Sequence, residues 1–494
     1  MLFSLIFISC DDKDGDVIPD IELPGTAPEV SFTALTSDNK IEMYDAQNLT
    51  APSSSMEISG LAMGEMIVSI DYRPATGQLY GLSTMSRLYI INENSGAATP
   101  LGTASFTPAF QGENPSLDFN PTVDRIRLVT ESGQNLRLHP ELGTVVATDG
   151  SINGGMDPRI GAVAYSDSFS GTTSTTLFDI DFAQDKLYKQ VPPNDGGLEE
   201  VGDLGVDFAG IGDMDINPDN SVAMAVVRNE DESRLYTINL SSGKAMWVGT
   251  FSGPVISLAF KTNPITYATD AANKLYRFDP TNPSPLAVDI TGLKDGEKIV
   301  GLDFRPANGQ LVAVSNMSQL YSINPSNGAV TAIGTPLMPA AMGSYIGFDF
   351  NPTVDRIRLV TETGQNLRLH PDLGTVAATD GNLNPGNPKV SAAAYSENFA
   401  GTTETSLFVV DSQKDLLYKV SPPNDGVMVE IGALGIDVKE DNGFDIGGTS
   451  NMAYGVFTVG NSTDVYAIDL TSGKATKVSN ISFSPTAMAL GLGF

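Results

Sequence analysis

Positively charged side chains are concentrated in one repeated stretch of an otherwise acidic sequence. The net charge is −31, yet six of the 13 arginines and both histidines fall in two short segments. Guanidinium groups form paired hydrogen bonds with carboxylate, phosphate or sulfate. We therefore predict a binding site for a small anionic ligand or an acidic polysaccharide. Its residues are Arg125, Arg127, Arg137 and His139 in the first copy, and Arg356, Arg358, Arg368 and His370 in the second.

The spacing of these residues predicts a β-hairpin. Because strand residues alternate between two faces, Arg125 and Arg127 share one face, and Arg137 and His139 share one face after the turn. The competing interpretation, which burial favours, is structural: nearby acids such as Asp149 would pair with buried arginines inside the protein. In that case Arg127→Ala would destabilise the protein by about 3–5 kcal/mol, whereas loss of a ligand site would leave stability nearly unchanged.

Carboxylates are the second group suited to chemistry. Ca²⁺ needs converging oxygen ligands, and a closed ring of strands would bring aspartates such as Asp71, Asp118, Asp303 and Asp349 into a central channel. No cofactor is otherwise predicted, and this Ca²⁺ site is the alternative. One cysteine and two histidines exclude a structural zinc site of the Cys/His type. The sequence has no Gly-x-Ser-x-Gly elbow and no phosphate-cradling loop, so no catalytic residue is predicted.

The elements that position these residues are repeated. Residues 120–150 and 351–381 differ at three of 31 positions, with an offset of 231 residues, and a fixed period dictates the architecture. The chain falls into ten units, each with four short apolar strands separated by Gly, Asn and Pro turns. Four strands per unit is typical of propeller blades, whose stacking hides both faces of each sheet. The predicted fold class is all-β, a β-propeller of about ten four-stranded blades.

The number of rings is the main architectural question. Residues 29–260 and 261–494 each carry five units, so the blades form either one ten-bladed ring or two five-bladed propellers in tandem. Residues 261–264 reach only about 14 Å, which suits a hairpin within one blade better than a crossing between domains. We therefore favour one ring, closed by a C-terminal strand, 485–494, that pairs into the first blade. In the alternative, residues 255–260 would close the first of two rings.

Four stretches of the first repeat resemble a known family. They read LDFNPTVDRIRLVTESGQNLRLHP, ATDG, AYSDSFSGTTSTTLFDID and LYKQVPPNDGGLEEVGDLGVD, and the second repeat carries them in the same order. In these motifs the chain resembles the bacterial domain of unknown function 4394, present in two tandem copies over nearly all of residues 30–494. The resemblance implies a secreted or surface propeller-like domain. It implies no activity, because the family has no established catalytic residues.

The N-terminus resembles a truncated bacterial lipoprotein signal. Residues 1–10 read MLFSLIFISC, an apolar run that ends in the only cysteine, Cys10, which would carry the lipid. Residues 11–28 are acidic, rich in proline and aperiodic, which predicts a flexible tether. We therefore predict a cell-envelope location, as an outer-membrane or surface lipoprotein of a Gram-negative bacterium.

Composition and motifs together favour one function class over another. A net charge of −31 repels phosphate backbones, so no nucleic acid is predicted as a partner, and membrane contact is predicted only through the lipid anchor. With no catalytic signature, the chain is predicted to be a non-catalytic binding module for an unknown surface ligand, which is a protein, a glycan or a small anion. The alternative is an extracellular hydrolase or lyase that is metal-dependent through the central channel, since propellers host both classes.

Overall fold

The computed structural model describes residues 24–494. The predicted lipoprotein signal, residues 1–10 with Cys10, lies outside the described residues, as does the predicted tether up to residue 23. Near the end of the tether the backbone N–H of Gly25 donates to the carbonyl of Trp247 at 2.7 Å. The described residues contain no helix long and apolar enough to cross a bilayer.

Forty strands form ten four-stranded antiparallel sheets, which we call blades. Twenty strands belong to the first repeat. In chain order they are β1 (Ser31–Thr36), β2 (Lys40–Asp45), β3 (Ser54–Glu57), β4 (Ile67–Tyr72), β5 (Leu79–Ser83), β6 (Leu88–Ile91), β7 (Ala98–Pro100), β8 (Ser116–Asn120), β9 (Arg125–Val129), β10 (Asn135–His139), β11 (Thr144–Thr148), β12 (Ile160–Tyr165), β13 (Leu177–Asp181), β14 (Lys186–Gln190), β15 (Leu198–Asp203), β16 (Ile211–Ile216), β17 (Ala223–Asn229), β18 (Glu232–Ile238), β19 (Ala245–Thr250) and β20 (Val255–Ala259).

The second repeat supplies the other twenty strands. They are β21 (Thr266–Asp270), β22 (Lys274–Phe278), β23 (Leu286–Asp289), β24 (Ile299–Arg305), β25 (Gln310–Ser315), β26 (Leu320–Ile323), β27 (Val330–Ile333), β28 (Ile346–Asn351), β29 (Arg356–Thr361), β30 (Asn366–His370), β31 (Thr375–Thr379), β32 (Val390–Tyr395), β33 (Leu407–Asp411), β34 (Leu416–Val420), β35 (Met428–Ala433), β36 (Asn442–Ile446), β37 (Ala453–Val459), β38 (Ser462–Ile468), β39 (Ala475–Asn480) and β40 (Pro485–Leu490). One 3-10 turn occurs in each repeat, at Pro193–Asp195 and Pro423–Asp425.

Each blade runs from a buried inner strand to an exposed outer strand. The inner strand β12, IGAVAY, is buried at every position, whereas the outer strand β11, TVVAT, alternates between exposed and half-buried residues. A strand in the middle of a ring of sheets has no solvent-facing side, so its sequence is continuously apolar or small. The outer strand keeps the period-2 pattern because one of its faces is exposed to water and the other is half-buried.

The blades close into two rings of five. In the first ring, β20 pairs with β1, and the inner strands contact one another in the cycle β20, β4, β8, β12, β16 and back to β20. In the second ring, β40 pairs with β21, and the cycle is β40, β24, β28, β32, β36. The favoured prediction of a single ten-bladed ring is therefore wrong, and so is the pairing of the C-terminal strand with the first blade.

The apolar core confirms this closure. One cluster of buried hydrophobic residues fills each of the five junctions between neighbouring blades in the first ring, and the same holds for the second. At the closing junction of the first ring, Phe32 and Tyr44 pack against Met224 and Val226. Because every blade has a neighbour on both sides, neither ring has a terminal apolar face.

The two rings touch directly along a surface that we call the seam. Within it the N–H of Gly493 donates to the carbonyl of Thr76 at 2.8 Å, and the hydroxyls of Ser170 and Tyr267 are 2.7 Å apart. The connector, residues 260–265, crosses this seam. The short connector favoured one ring because a crossing between separate domains was expected to need a longer linker. The two rings touch along the seam, so a short connector is sufficient.

Candidate functional site

The predicted arginine hairpin forms in the simplest register. Strands β9 and β10 pair so that Arg127 lies directly opposite Arg137, and the carboxylate of Asp149 lies between them. Arg127 Nη1 donates to Asp149 Oδ2 at 2.6 Å, and Arg137 binds both oxygens of the same carboxylate at 2.7 and 2.9 Å. One carboxylate therefore balances one of the two guanidinium charges.

Arg127 is held on the next blade as well as on its own. Its remaining hydrogen bonds go to Asn135 Oδ1 at 2.7 Å, Asn194 Oδ1 at 2.7 Å and the hydroxyl of Tyr165 at 3.4 Å. Asn194 lies in the PPNDG turn, so the separate sequence motifs are partners in one clamp between two blades. The geometry favours the structural interpretation of Arg127, because a buried guanidinium with these partners has little left to offer a ligand.

The second ring repeats this clamp. Arg358 Nη1 donates to Asn366 at 2.8 Å and to Asp380 at 2.6 Å, and Nη2 donates to Asn424 at 2.8 Å. Arg368 binds Asp380 through two hydrogen bonds of 2.8 and 3.0 Å. Both rings therefore keep the same set of polar partners around one buried arginine.

The remaining cationic residues are more accessible. Arg125 and Arg356 are half-buried, and each donates to the carbonyl of the preceding aspartate at 2.7 Å. The pKa of His139 is lowered to about 4 by burial and by the nearby charges of Arg125 and Arg73. His370 occupies the equivalent place in the second ring. Ligand binding by these more accessible residues stays a prediction.

Arg73, which was not predicted as a site residue, joins the two rings. Its Nε donates to Asp124 Oδ1 at 2.8 Å, a second bond joins Nη2 to Asp124 Oδ2, and Nη1 donates to the carbonyl of Gly309 at 3.0 Å across the seam. Glu141 is a further acidic partner at 3.3 Å. Asp124 adopts a left-handed φ of 51° in the NPTVDR turn, a conformation that aspartate tolerates better than most residues.

Each ring brings three aspartates together at its centre. Asp71, Asp118 and Asp215 offer carboxylate oxygens within 4.8 Å of one another, and none of the three residues is more than 4% exposed. The equivalent set in the second ring is Asp303, Asp349 and Asp445. The prediction grouped Asp71 and Asp118 with Asp303 and Asp349 in one channel. It missed Asp215 and Asp445, although Asp215 begins the same Asp-apolar-x-Pro strand end as Asp71 and Asp118.

These carboxylates join neighbouring inner strands. Asp71 accepts the backbone N–H of Phe119 at 2.8 Å, and Asp215 accepts that of Phe260 at 2.6 Å. Burial, and then repulsion from neighbouring carboxylates, raises the pKa of Asp71 well above its usual range; burial first, and then Asp213, raises the pKa of Asp215 to about 8. Protons or a bound cation must therefore balance this charge. The oxygen donors suit Ca²⁺ in type, although they already accept backbone hydrogen bonds.

In the first ring, Asp213 adds a second polar layer next to the three aspartates. The carboxylate of Asp213 accepts the hydroxyls of Ser116 at 2.7 Å, Ser257 at 2.5 Å and Ser69 at 3.2 Å. Burial raises the pKa of Asp213 to about 7 despite these hydrogen bonds. At the equivalent positions the second ring has small residues, namely Gly443, Gly347, Ala487 and Gly301.

Three cavities lie along the seam and share connector residues in their walls. The first, of about 210 Å³, is lined by Thr76, residues 261–265 and Phe494. The second, of about 180 Å³, is lined by Lys261 and Glu93 among others. The third, of about 250 Å³, combines Phe169 of the first ring with Arg277 of the second. Binding sites occur preferentially at such domain interfaces.

Comparison with known proteins identifies one family twice in the chain. The family described as Domain of unknown function (DUF4394) matches residues 40–259 and again residues 274–491. No curated protein matches the chain. Among solved structures, one described as "Structure of Dos1 propeller" aligns over 67% of this chain and 86% of its own, with 11% identity and a TM-score of 0.25.

Proposed function

Since the chain belongs to the domain of unknown function 4394 family and carries two copies of that domain, we propose that it is a non-catalytic binding module made of two five-bladed propellers. The observation that carries this proposal is the seam, where three cavities are lined by the connector between the rings. Propellers serve many functions, so the site and not the fold supports the choice.

The proposed ligand is a protein, a glycan or a small anion in the cell envelope. We propose that Cys10 carries a lipid and that residues 11–28 let the propellers reach ligands beyond the membrane surface. The arginine hairpins keep a more exposed arginine in each ring, Arg137 and Arg368, with side chains 31% and 36% exposed. Two similar surfaces on one chain would increase avidity for a repeating ligand.

Glycan-array screening and pull-down with the purified protein test this proposal. We expect saturable binding that Lys261→Glu weakens, because this substitution reverses the charge in the wall of two seam cavities. Lys186→Glu is the matched control, since Lys186 lies on the outer part of a blade and pairs with Glu200. Binding that neither variant changes would contradict the assignment of the function to the seam.

A metal-dependent hydrolase or lyase is the second candidate. The three converging carboxylates in each ring favour it. Against it, the six aspartates are at most 4% exposed, so a substrate has no path to them without opening of the ring. Elemental analysis of protein purified without chelator tests the site: one bound Ca²⁺ per ring, together with hydrolysis that chelation abolishes, would favour the enzyme over the binding module.

A further inference from the structure

A buried arginine in the seam lacks an acidic partner. Arg277 is 6% exposed, and its Nη1 donates only to the carbonyls of Pro325 at 3.3 Å and Ser326 at 3.2 Å. Its Nε has no hydrogen-bond partner, and no carboxylate within the described residues forms an ion pair with it. Buried charges are ordinarily paired, because removing an ion from water carries a large free-energy cost. We therefore expect Arg277 to bind an anion that is not part of the described chain.

The guanidinium lies in the wall of the cavity of about 250 Å³. Phe169 and Ser170 of the first ring form one side of this cavity, and the rest of the wall comes from the connector and the second ring. Gly171 approaches the guanidinium so closely that a Cβ there would lie 3.5 Å from Arg277 Cζ. The site is therefore built from both propellers.

The other wall groups suit a small polar molecule with an apolar face. Asn263, Asn282 and Ser284 supply amides and a hydroxyl, while Phe169 and Leu286 supply apolar surface. The one acidic wall residue is Asp279, whose carboxylate accepts the backbone N–H and the hydroxyl of Thr281, both at 2.7 Å. Its negative charge disfavours a dianion such as phosphate, so the cavity suits a ligand with a single negative charge.

We propose that this cavity binds one sugar ring bearing a single carboxylate, a uronic acid unit, with the carboxylate against Arg277 and the ring hydroxyls against the amides. Planar guanidinium matches carboxylate in paired hydrogen bonds. The cavity is smaller than the roughly 300–1,000 Å³ of sites for drug-sized ligands, so one ring fills it. This inference rests on the proposed binding function and names its ligand class. Burial lowers the pKa of Arg277, as expected for a buried cation without an acidic partner.

The first ring provides a design for the test. Arg277 pairs with Tyr267 on the neighbouring strand, and the residue in the same register of the first ring is Met43, which pairs with Thr33. Met43 lines the cavity of about 180 Å³, which also contains Glu42. Arg277→Met therefore copies a side chain that this fold already accepts. Because it removes a buried unpaired cation, it should leave the melting temperature unchanged or raise it.

The experiment is calorimetric titration of the purified full chain with sodium glucuronate. Methyl glucoside, which has the ring without the carboxylate, and inorganic phosphate are the comparison probes at matched ionic strength. We expect wild type to bind glucuronate and neither comparison probe. Arg277→Met should lower the affinity for glucuronate at least tenfold, whereas Arg159→Met, which removes an exposed arginine elsewhere, should not change it.

Three results would overturn the inference: no heat with glucuronate, equal affinity in Arg277→Met, or tighter binding of phosphate. If Arg277→Met does not fold, Asn282→Ala is the second variant, and it should weaken glucuronate binding while leaving Arg277 in place. Failure with glucuronate alongside binding of other glycans on an array would reject the uronic acid assignment and leave the binding module standing. Failure of both would reject the two proposals together.

Discussion

The two rings share a backbone and differ in how they fill the centre. In both, three aspartates connect neighbouring inner strands. Next to this layer the first ring places Asp213 and three serine hydroxyls, whereas the second ring has glycine or alanine and its strands lie closer together. A Cβ at Gly443 would be 2.3 Å from the Cβ of Met488. The aspartate layer is therefore common to both rings, whereas the layer beside it differs. In the first ring, polar side chains fill the space between neighbouring inner strands, and in the second ring the strand backbones approach each other directly.

The equivalent ion pairs of Arg73 and Arg305 differ in burial because only the pair of Arg73 is covered by the other ring at the seam. Arg73 is completely buried because Gly309 of the second ring covers it, whereas the equivalent Arg305 pairs with Asp355 and Asp372, whose side chains are 34% and 61% exposed. Both arginines are buried, but the carboxylates that pair with Arg305 are more exposed than Asp124 and Glu141. The contact across the seam therefore adds to the burial of the ion pair in the first ring.

The largest expected effect comes from removing Arg73. Arg73→Met leaves Asp124 and the partly buried Glu141 without their guanidinium, and should lower the free energy of unfolding by about 3–5 kcal/mol. Arg305→Met, the matched control, should cost only about 1 kcal/mol, because the carboxylates that it leaves unpaired are 34% and 61% exposed and remain in contact with water. Urea unfolding followed by fluorescence and circular dichroism measures both. Equal losses in the two variants would show that the seam does not shield Arg73.

A smaller effect is expected from exchanging Asp179 and Val409. Both carboxylate oxygens of Asp179 are buried without a hydrogen-bond partner, and burial raises its pKa well above the usual range. The second ring has Val409 at this position. Asp179→Val should therefore stabilise by about 1–3 kcal/mol, the cost of unsatisfied buried polar groups.

The reverse substitution, Val409→Asp, is the complementary arm of this test. It should destabilise by a similar amount, and thermal melting at pH 7 measures the two variants side by side. Destabilisation by Asp179→Val would mean that this carboxyl group has a partner that the present geometry does not reveal, and the proposed difference between the rings at this site would fail.

The smallest expected effect is the pH dependence that His139 contributes to stability. His139 has a pKa of about 4 in the folded state, and an unfolded histidine has a pKa of about 6.5. Between these values the unfolded chain binds more protons, so this residue lowers stability as the pH falls through that window. At pH 5.5 His139→Gln should remove roughly 1 kcal/mol of this loss, after allowance for partial exposure.

The matched variant for that measurement is His370→Gln. Thermal melts of wild type and both variants at pH 7.5 and pH 5.5 give the difference, which isolates the histidines from the aspartates of the channels. Those aspartates act in the opposite direction, because a raised folded pKa makes stability fall as the pH rises. Identical pH profiles for wild type and His139→Gln would contradict the lowered pKa of His139.

Much of the architecture was predictable because short-range sequence patterns specify the strands and turns of each blade. Alternating apolar residues and Gly, Asn and Pro turns predicted the four strands of each blade, and the repeat predicted their number. Ring closure was not predictable in this way, since the closing strands Val255–Ala259 and Pro485–Leu490 pair with strands that lie far away along the chain. The hairpin register of Arg127 and Arg137 followed from the turn. Arg277 was missed because the absence of a partner is a property of three-dimensional space and leaves no pattern in the chain.

The closing strands β20 and β40 each complete a blade whose other strands lie at least 196 residues earlier in the chain (485 − 289 in the second ring, 255 − 57 in the first). During translation, one edge of the first blade of each propeller therefore stays unpaired until the closing strand of that propeller leaves the ribosome. Pairings this distant along the chain are slow to form. Since each ring has its own final strand, we expect the N-terminal propeller to complete itself while the C-terminal one is still being synthesised, which shortens the time that either half spends with open edges.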